Sequence, residues 1–552
     1  MDLICNSTYA FPSSSPLEIA VHEGSFFEVS STSIWTVSIV AIVSLFAWMR
    51  TPWNDGQGHS IPKGPMGLPI IGSFYALTRF PELTLDFWAK KFGKLYSIWL
   101  GNQLFVIVSD PNVAKDLMVT NGNVFSSRKE MYIKSQTVFA GRGITATPYN
   151  DRWRKHRRIA TTWLSQRAVD SYSPTLDRES LSLVKALFEE SKGGLVPVNP
   201  QVCQTIRSQI LVLTIAAPRR SLLLEQHDYH HFWLPYRQYQ PPSCCSSFEA
   251  QSNCTGPMSN LVDFVSLLQY IPTPMHQRGK KLHKGLVDTY GGIIKDIEQK
   301  MKSGGQVTDC LAKTMVEVRK KENLDDLDMA ILASAFMIGG VETTAAIMQW
   351  FSALIPAYPE IQKKAQEELD RVVGRDRLPD VEDEKNLPYC HAIIKEVERV
   401  HNPFWLGTPH VATDDFVYEG QYIPKDTVVV LNTWTMHNDS TRHSNPEKFN
   451  PDRYINDPLT SADSANVANP MERDHWMFGA GRRICPGMLV AEREIWLTIS
   501  RMLWAFDMYE IPGEPIDLKE YDGLSGRSPV PFRIGLKPRH ENVAKLLEGV
   551  EI

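Results

Sequence analysis

Residues Phe478 to Gly487 read "FGAGRRICPG", and this stretch decides the reading of the whole chain. One cysteine, Cys485, sits among three glycines, a proline and two arginines. Glycine lets a loop fold back tightly and present its backbone N–H groups, and arginine puts positive charge nearby. Both effects favour a thiolate at Cys485. Such a sulfur is a nucleophile, a zinc ligand or an iron ligand, and the rest of the sequence has to choose.

With 552 residues the chain has ample length for a large core, and its net charge of −5 gives no support to nucleic-acid binding. The eight cysteines are scattered without a single CxxC pair. A disulfide framework and a structural zinc site both need clustered or regularly spaced ligands, so most of these thiols are expected to be buried and inert.

Ser31 to Met49, "STSIWTVSIVAIVSLFAWM", is apolar or small throughout and about the length of a bilayer crossing. No Lys or Arg precedes it, whereas Arg50, Lys63, Arg79, Lys90 and Lys91 follow. The charge order is that of an anchor rather than of a cleaved signal peptide, and it leaves the body of the chain cytoplasmic. The expectation is a single-pass protein of the endoplasmic reticulum membrane with residues 1–30 lumenal, the span at 31–49 and a Pro/Gly hinge at 50–72. "NST" at Asn6 to Thr8 is then a glycosylation acceptor on the lumenal side. "NCT" at Asn253 to Thr255 is expected to stay unmodified.

Leu95 to Val108 reads as a hairpin around Gly101-Asn102. From about Asp110 to Arg399 the periodicity is mostly helical, and strand-like runs return near Phe416 to Asn432. With no repeat and no second linker, the reading is one mainly α catalytic domain with small β-sheets at 73–540, preceded by a single transmembrane helix and closed by a tail at 541–552.

The opening stretch resembles the heme-binding loop of the cytochrome P-450 superfamily, with Phe478, Gly481, Arg483, Cys485 and Gly487 at that family's spacing. The resemblance implies the cytochrome P-450 fold and heme b, with Cys485 as axial thiolate on the iron, a ligation that favours O–O cleavage. "EVER", Glu396 to Arg399, and "FNPDRY", Phe449 to Tyr454, are similar to the family's buried network, which would join Glu396, Arg399 and Arg453. "WRKHR", Trp153 to Arg157, resembles the helix that binds a heme propionate, and Arg483 and His410 are further propionate partners.

"FMIGGVETTAAIM", Phe336 to Met348, places two glycines inside an apolar helix, where each costs roughly 1 kcal/mol against alanine. That cost suggests a local opening. Polar groups such as Glu342 and Thr343 need a purpose or a partner in such a helix. The segment resembles the family's oxygen-binding helix, in which the acid–alcohol pair relays protons to dioxygen. Pocket walls are expected from Val138 to Thr145, including Phe139, from Phe336 and Gly340, and from Phe404 to Leu406, where the bulk of Phe404 and Trp405 suggests a small, flat substrate.

The implied activity is hydroxylation with O2 and electrons from NADPH, delivered by NADPH-cytochrome P-450 reductase, with cytochrome b5 as a second candidate partner. The resemblance is nearest to fungal microsomal members acting on aromatic or polyketide-derived secondary metabolites, including hydroxylases of cresol-like phenols. Two other classes remain open. A heme-thiolate isomerase or dehydratase would need no electrons, and a non-catalytic heme-binding membrane protein would have no use for Glu342 and Thr343. Between Ala217 and Pro257 the helical periodicity is lost, which fits either an insertion or a translated intron.

Overall fold

The structure is a computed structural model that describes residues 36, 38, 40, 54–68, 71–77, 80–201, 261–263, 269–307, 310–522 and 527–548. Of the expected anchor, Thr36, Ser38 and Val40 are helical; its other residues, Asn6, and the 217–257 stretch lie outside the described residues. The body of the chain, Asn54–Ile552, is one compact unit.

Its larger elements are α1 (Pro81–Phe92), β1 (Leu95–Leu100), β2 (Gln103–Val108), α2 (Asp151–Trp163), α3 (Gln166–Glu190), α4 (Pro274–Lys302), α5 (Asp326–Ala357), α6 (Pro359–Val372) and α7 (Pro388–Val400). There follow β3 (His410–Val411), β4 (Phe416–Tyr418), β5 (Gln421–Ile423), β6 (Val428–Leu431), α8 (Met488–Ala505), β7 (Phe506–Glu510), β8 (Tyr521–Asp522), β9 (Ser528–Pro529), β10 (Ile534–Pro538) and α9 (Asn542–Glu548).

The hairpin pairs Leu100 with Gln103 across Gly101-Asn102, and Gly101 has φ +63°, the left-handed value that the first central position of such a turn needs. β2 then pairs in parallel with β6, giving a four-stranded sheet in the order β1-β2-β6-β3. Both faces of β2 and β6 are buried, which is why their sequences are continuous apolar runs rather than alternating ones.

α5 is the central helix. Asp325 caps it by accepting from the Asp328 N–H at 2.7 Å, and from Thr344 to Pro356 it is buried on every side. By length and hydropathy it is the one helix among the described residues able to cross a membrane, yet 61% of its apolar window is buried inside the protein. It is therefore a core helix. Trp350 and Phe351 on α5 pack with Trp496 and Trp504 on α8 in the largest core cluster.

Two expected boundaries shift. The 541–552 segment carries α9, whose Val543 and Leu547 join that same core, so it is not a tail. The second half of the 50–72 hinge is docked on β1: Ser97 Oγ donates to the Pro62 carbonyl at 2.6 Å, and a Cβ on Gly64 would lie 1.7 Å from the Ser97 carbonyl oxygen. Only glycine permits that approach.

Candidate active site

The loop at Phe478–Gly487 is held by its own backbone. The Cys485 N–H donates to the Phe478 carbonyl at 2.9 Å, and Gly479 and Gly481 take φ +72° and +62°. A Cβ on Gly481 would stand 2.0 Å from the Met118 carbonyl oxygen, so that position needs glycine for space as well as for angle.

Cys485 is not surrounded by the loop's arginines. Arg483 is buried and turned away: it donates to the carbonyls of Ser126 at 2.7 Å, Thr147 at 2.8 Å and Ile144 at 3.2 Å, and its guanidinium lies 3.9 Å from the Trp153 ring centroid. Burial pushes the Cys485 thiol above its ordinary value, and the Gly487 backbone and the Arg157 charge offset this only in part. The ring of arginines expected around the sulfur is thus corrected: Arg483 points away, and Arg157 is the charge that partly offsets the burial of the thiol.

Trp153 is held on α2, whose N-cap is Asn150. Its indole N–H, assigned by the resemblance to a propionate, donates to the Ile144 carbonyl at 3.0 Å, and what it offers Arg483 is its ring face. Arg157, one turn along, donates to the Ile484 carbonyl. His410 is buried with Nδ1 2.6 Å from the Phe125 carbonyl, so that nitrogen carries the proton. Burial and the charges of Arg128 and Arg483 hold the ring neutral, and Nε2 is then an acceptor rather than a propionate donor.

Arg128 is a member that sequence reasoning missed. It is buried, donates to the Thr408 carbonyl, and leaves its Nε without a partner. Burial and Arg483 push its pKa well down, and burial and Arg157 push Arg483 down to about 9. Among the described residues none of Arg128, Arg157 and Arg483 has an ion-pair partner. Buried Arg128 and Arg483 repel, as do Arg483 and half-buried Arg157, and such a group calls for an external anion, a demand that the two propionates of a heme fit.

The α5 segment supplies the other wall. Met337 and Val341 are buried, Glu342 and Thr343 are half-buried, and Gly339 is exposed in mid-helix with nothing within 4 Å of where its Cβ would be. This strip therefore faces open space, and burial pushes the Glu342 carboxyl up to about 7. The helix is not interrupted there, so the opening is the missing side chains rather than a break. Thr343 Oγ1 donates to the Gly339 carbonyl at 2.7 Å. A planar macrocycle fits a wall made of glycine.

Of the expected pocket residues, Phe139 is buried beside α2 and α5, Phe336 is half-buried against Trp163 with ring centroids 6.1 Å apart, and Gly340 and Phe404 are half-buried. Trp405 is a correction. It is buried in the core under the four-stranded sheet, edge-on to Trp434 at 4.6 Å, so its bulk fills the fold and not the pocket.

Glu396 and Arg399 are fully buried on α7 and form a bidentate pair, both bonds 2.8 Å. Arg453 Nε reaches Glu396 Oε1 at 3.2 Å, and Arg399 goes on to the carbonyls of His437 and Pro446. This network ties α7 to the His437–Arg453 segment, with Glu396 and Arg399 at its buried centre.

The model of the family described as Cytochrome P450 matches residues 62–535. The chain is similar to cytochrome P450 monooxygenase virE of Hypocrea virens, 31% identical over 92% of this chain and 91% of the relative. It is 32% identical to cytochrome P450 monooxygenase polD of Polytolypa hystricis, over 93% and 96%. Cytochrome P450 monooxygenase fogE of Aspergillus ruber is 29% identical over 92% and 93%.

Proposed function

The chain belongs to the cytochrome P450 family and is a cytochrome P450 monooxygenase using heme b; from that premise we propose that it hydroxylates a small aromatic or polyketide-derived metabolite, such as a cresol-like phenol. In this reading the protein is anchored in the endoplasmic reticulum membrane by residues 31–49, with its catalytic domain cytoplasmic. Electrons come from NADPH through a reductase, and cytochrome b5 is a second candidate donor.

The observation that carries the reading is the strip of α5 formed by exposed Gly339 with half-buried Glu342 and Thr343, on a helix whose following residues, Thr344 to Pro356, are all buried. Cys485, Arg128, Arg157 and Arg483 would hold the heme, which supplies the oxidising chemistry when bound. The chain's own residues do the rest. Thr343 uses its proton on the Gly339 carbonyl, so its oxygen is left to accept a hydrogen bond from water in the open space. Glu342, with a carboxyl near pH 7, exchanges protons with that water at physiological pH. Phe139, Phe336 and Phe404 offer ring surfaces to an aromatic substrate and exclude bulk water.

Microsomes containing the protein and a reductase, given a panel of simple phenols, should form hydroxylated products by mass spectrometry, and only with NADPH. Turnover of another substrate class with none of the phenols would overturn the substrate assignment and leave the family untouched. Removing residues 1–50 should move the heme-containing protein toward the soluble fraction; unchanged membrane association would overturn the assignment of the anchor.

A further inference from the structure

α7 carries a second buried polar network on residues that the Glu396–Arg399 pair does not use. Glu398 is buried on that helix, and its Oε2 lies 2.8 Å from His475 Nε2. The Ser461 hydroxyl, also buried, is 3.3 Å from the same carboxylate oxygen and 3.1 Å from the same nitrogen. Next to it Lys395, with no exposed surface, bridges Asp457 at 2.6 Å and Asp474 at 3.3 Å. Burying this many charges is expensive unless their geometry is fixed, so the cluster holds one arrangement of the 457–475 segment against α7.

His475 is where this network meets the cysteine loop. Its ring packs on Phe478, centroids 5.8 Å apart, and Phe478 is the residue whose carbonyl accepts the Cys485 N–H at 2.9 Å. The intervening backbone is pinned on both sides: the Trp476 N–H donates to His437 Nε2 at 2.7 Å, and the Gly479 N–H donates to the Trp476 carbonyl at 3.1 Å. A carboxylate facing Nε2 fixes that nitrogen as the protonated one and so fixes the ring's orientation.

We infer that Glu398 and His475 are positioning residues for Cys485: the carboxylate orients the imidazole, the imidazole seats Phe478, and Phe478 holds the backbone N–H of the sulfur-bearing residue. The inference rests on Cys485 being the iron ligand. That premise has its own control, since Cys485→Ser should abolish the thiolate-type carbon monoxide band, and a retained band would sink the premise whatever the other variants do.

The test uses the full-length holoprotein and reads two quantities, heme content and the share of the carbon monoxide complex in the thiolate-type band rather than the band of a neutral sulfur ligand. Glu398→Gln and His475→Leu should keep most of their heme and convert a several-fold larger share to the neutral-ligand band. His475→Gln, which retains an N–H able to reach Glu398, should restore most of the wild-type band. Ser461→Ala, milder and safe for folding, should shift the band the same way by less. Wild-type bands in Glu398→Gln and His475→Leu would overturn the inference. So would heme loss in both with Ser461→Ala unchanged, since the network would then support folding alone.

Discussion

Thr343 Oγ1 lies 2.7 Å from the carbonyl oxygen of Gly339, four residues back on the same helix and at the one exposed glycine of the strip. The bond fixes the hydroxyl's only proton on the backbone and aims its lone pairs at the open space. A threonine within a helix also makes this bond for purely local reasons.

Thr343→Ala separates the two cases. Heme content and substrate binding should stay, because the side chain is half-buried and one helix hydrogen bond is worth only about 1 kcal/mol. Product per NADPH should fall, with the difference appearing as hydrogen peroxide. Loss of one positioned proton-relay group commonly costs about 10²–10⁴ in rate, less where water substitutes. Unchanged coupling would make Thr343 a helix residue only.

Glu342 carries a pH signature. Burial pushes its carboxyl up to about 7, so between the ordinary carboxyl range and pH 7 the folded chain keeps a proton that the unfolded chain releases. The group therefore costs stability as pH rises through that window, and the full penalty is present above pH 7. Glu342→Gln removes the titration: the holoprotein should gain on the order of 1–2 kcal/mol at pH 8, allowing for its partial exposure, and nothing at pH 4. Thermal midpoints at the two pH values check this. In activity, wild-type coupling should fall as pH rises through 7, and the variant's should be low and flat.

How much of this was legible in the sequence follows from distance along the chain. The cysteine loop, the Glu396–Arg399 pair and the Glu342–Thr343 pair each lie within a few residues of themselves, so spacing alone exposes them. Arg128 was invisible because its surroundings come from Thr408 and Arg483, hundreds of residues away, and a lone arginine between Ser127 and Lys129 has no local pattern. Trp405 misled for the complementary reason. Its neighbours in the chain are a proline, an aromatic and a glycine, as at a pocket rim, while the fold turns its ring into the core beneath β6. Likewise the arginines beside Cys485 are near it in sequence, but Arg483 points to Ser126 and Thr147.

Arg128→Leu should act in opposite directions with and without heme. In the heme-free chain it removes one of two buried guanidiniums that repel, together with an orphaned Nε, and should raise the thermal midpoint. In the holoprotein it removes a charge-assisted partner of the propionates, on the order of 1.5–3 kcal/mol, and should speed heme loss to an acceptor such as apomyoglobin. A lower midpoint in both states would show that Arg128 is a structural residue held by Thr408 alone.

Two glycines of the cysteine loop make a matched pair. Gly479 and Gly481 both have positive φ, +72° and +62°, so alanine at either position costs about 1 kcal/mol for the backbone angle. They differ in space. Around Gly479 nothing lies within 4 Å of a built Cβ, whereas at Gly481 it would sit 2.0 Å from the Met118 carbonyl oxygen and 2.9 Å from the carbonyl carbon. Met118 belongs to the helical turn Asp116–Thr120, is buried with Val106, Val108, Val429 and Leu431 on the sheet face opposite Trp405, and cannot yield without moving that core. Gly479→Ala should therefore lose about 1 kcal/mol and keep the thiolate-type carbon monoxide band. Gly481→Ala should lose roughly 2–4 kcal/mol, as overpacking adds to strain, and should hold little heme with thiolate ligation. Heme content, the carbon monoxide band and urea midpoints of the two variants give the comparison directly. Equal losses would mean that the loop relaxes away from Met118 and that the close approach does not fix where Cys485 sits.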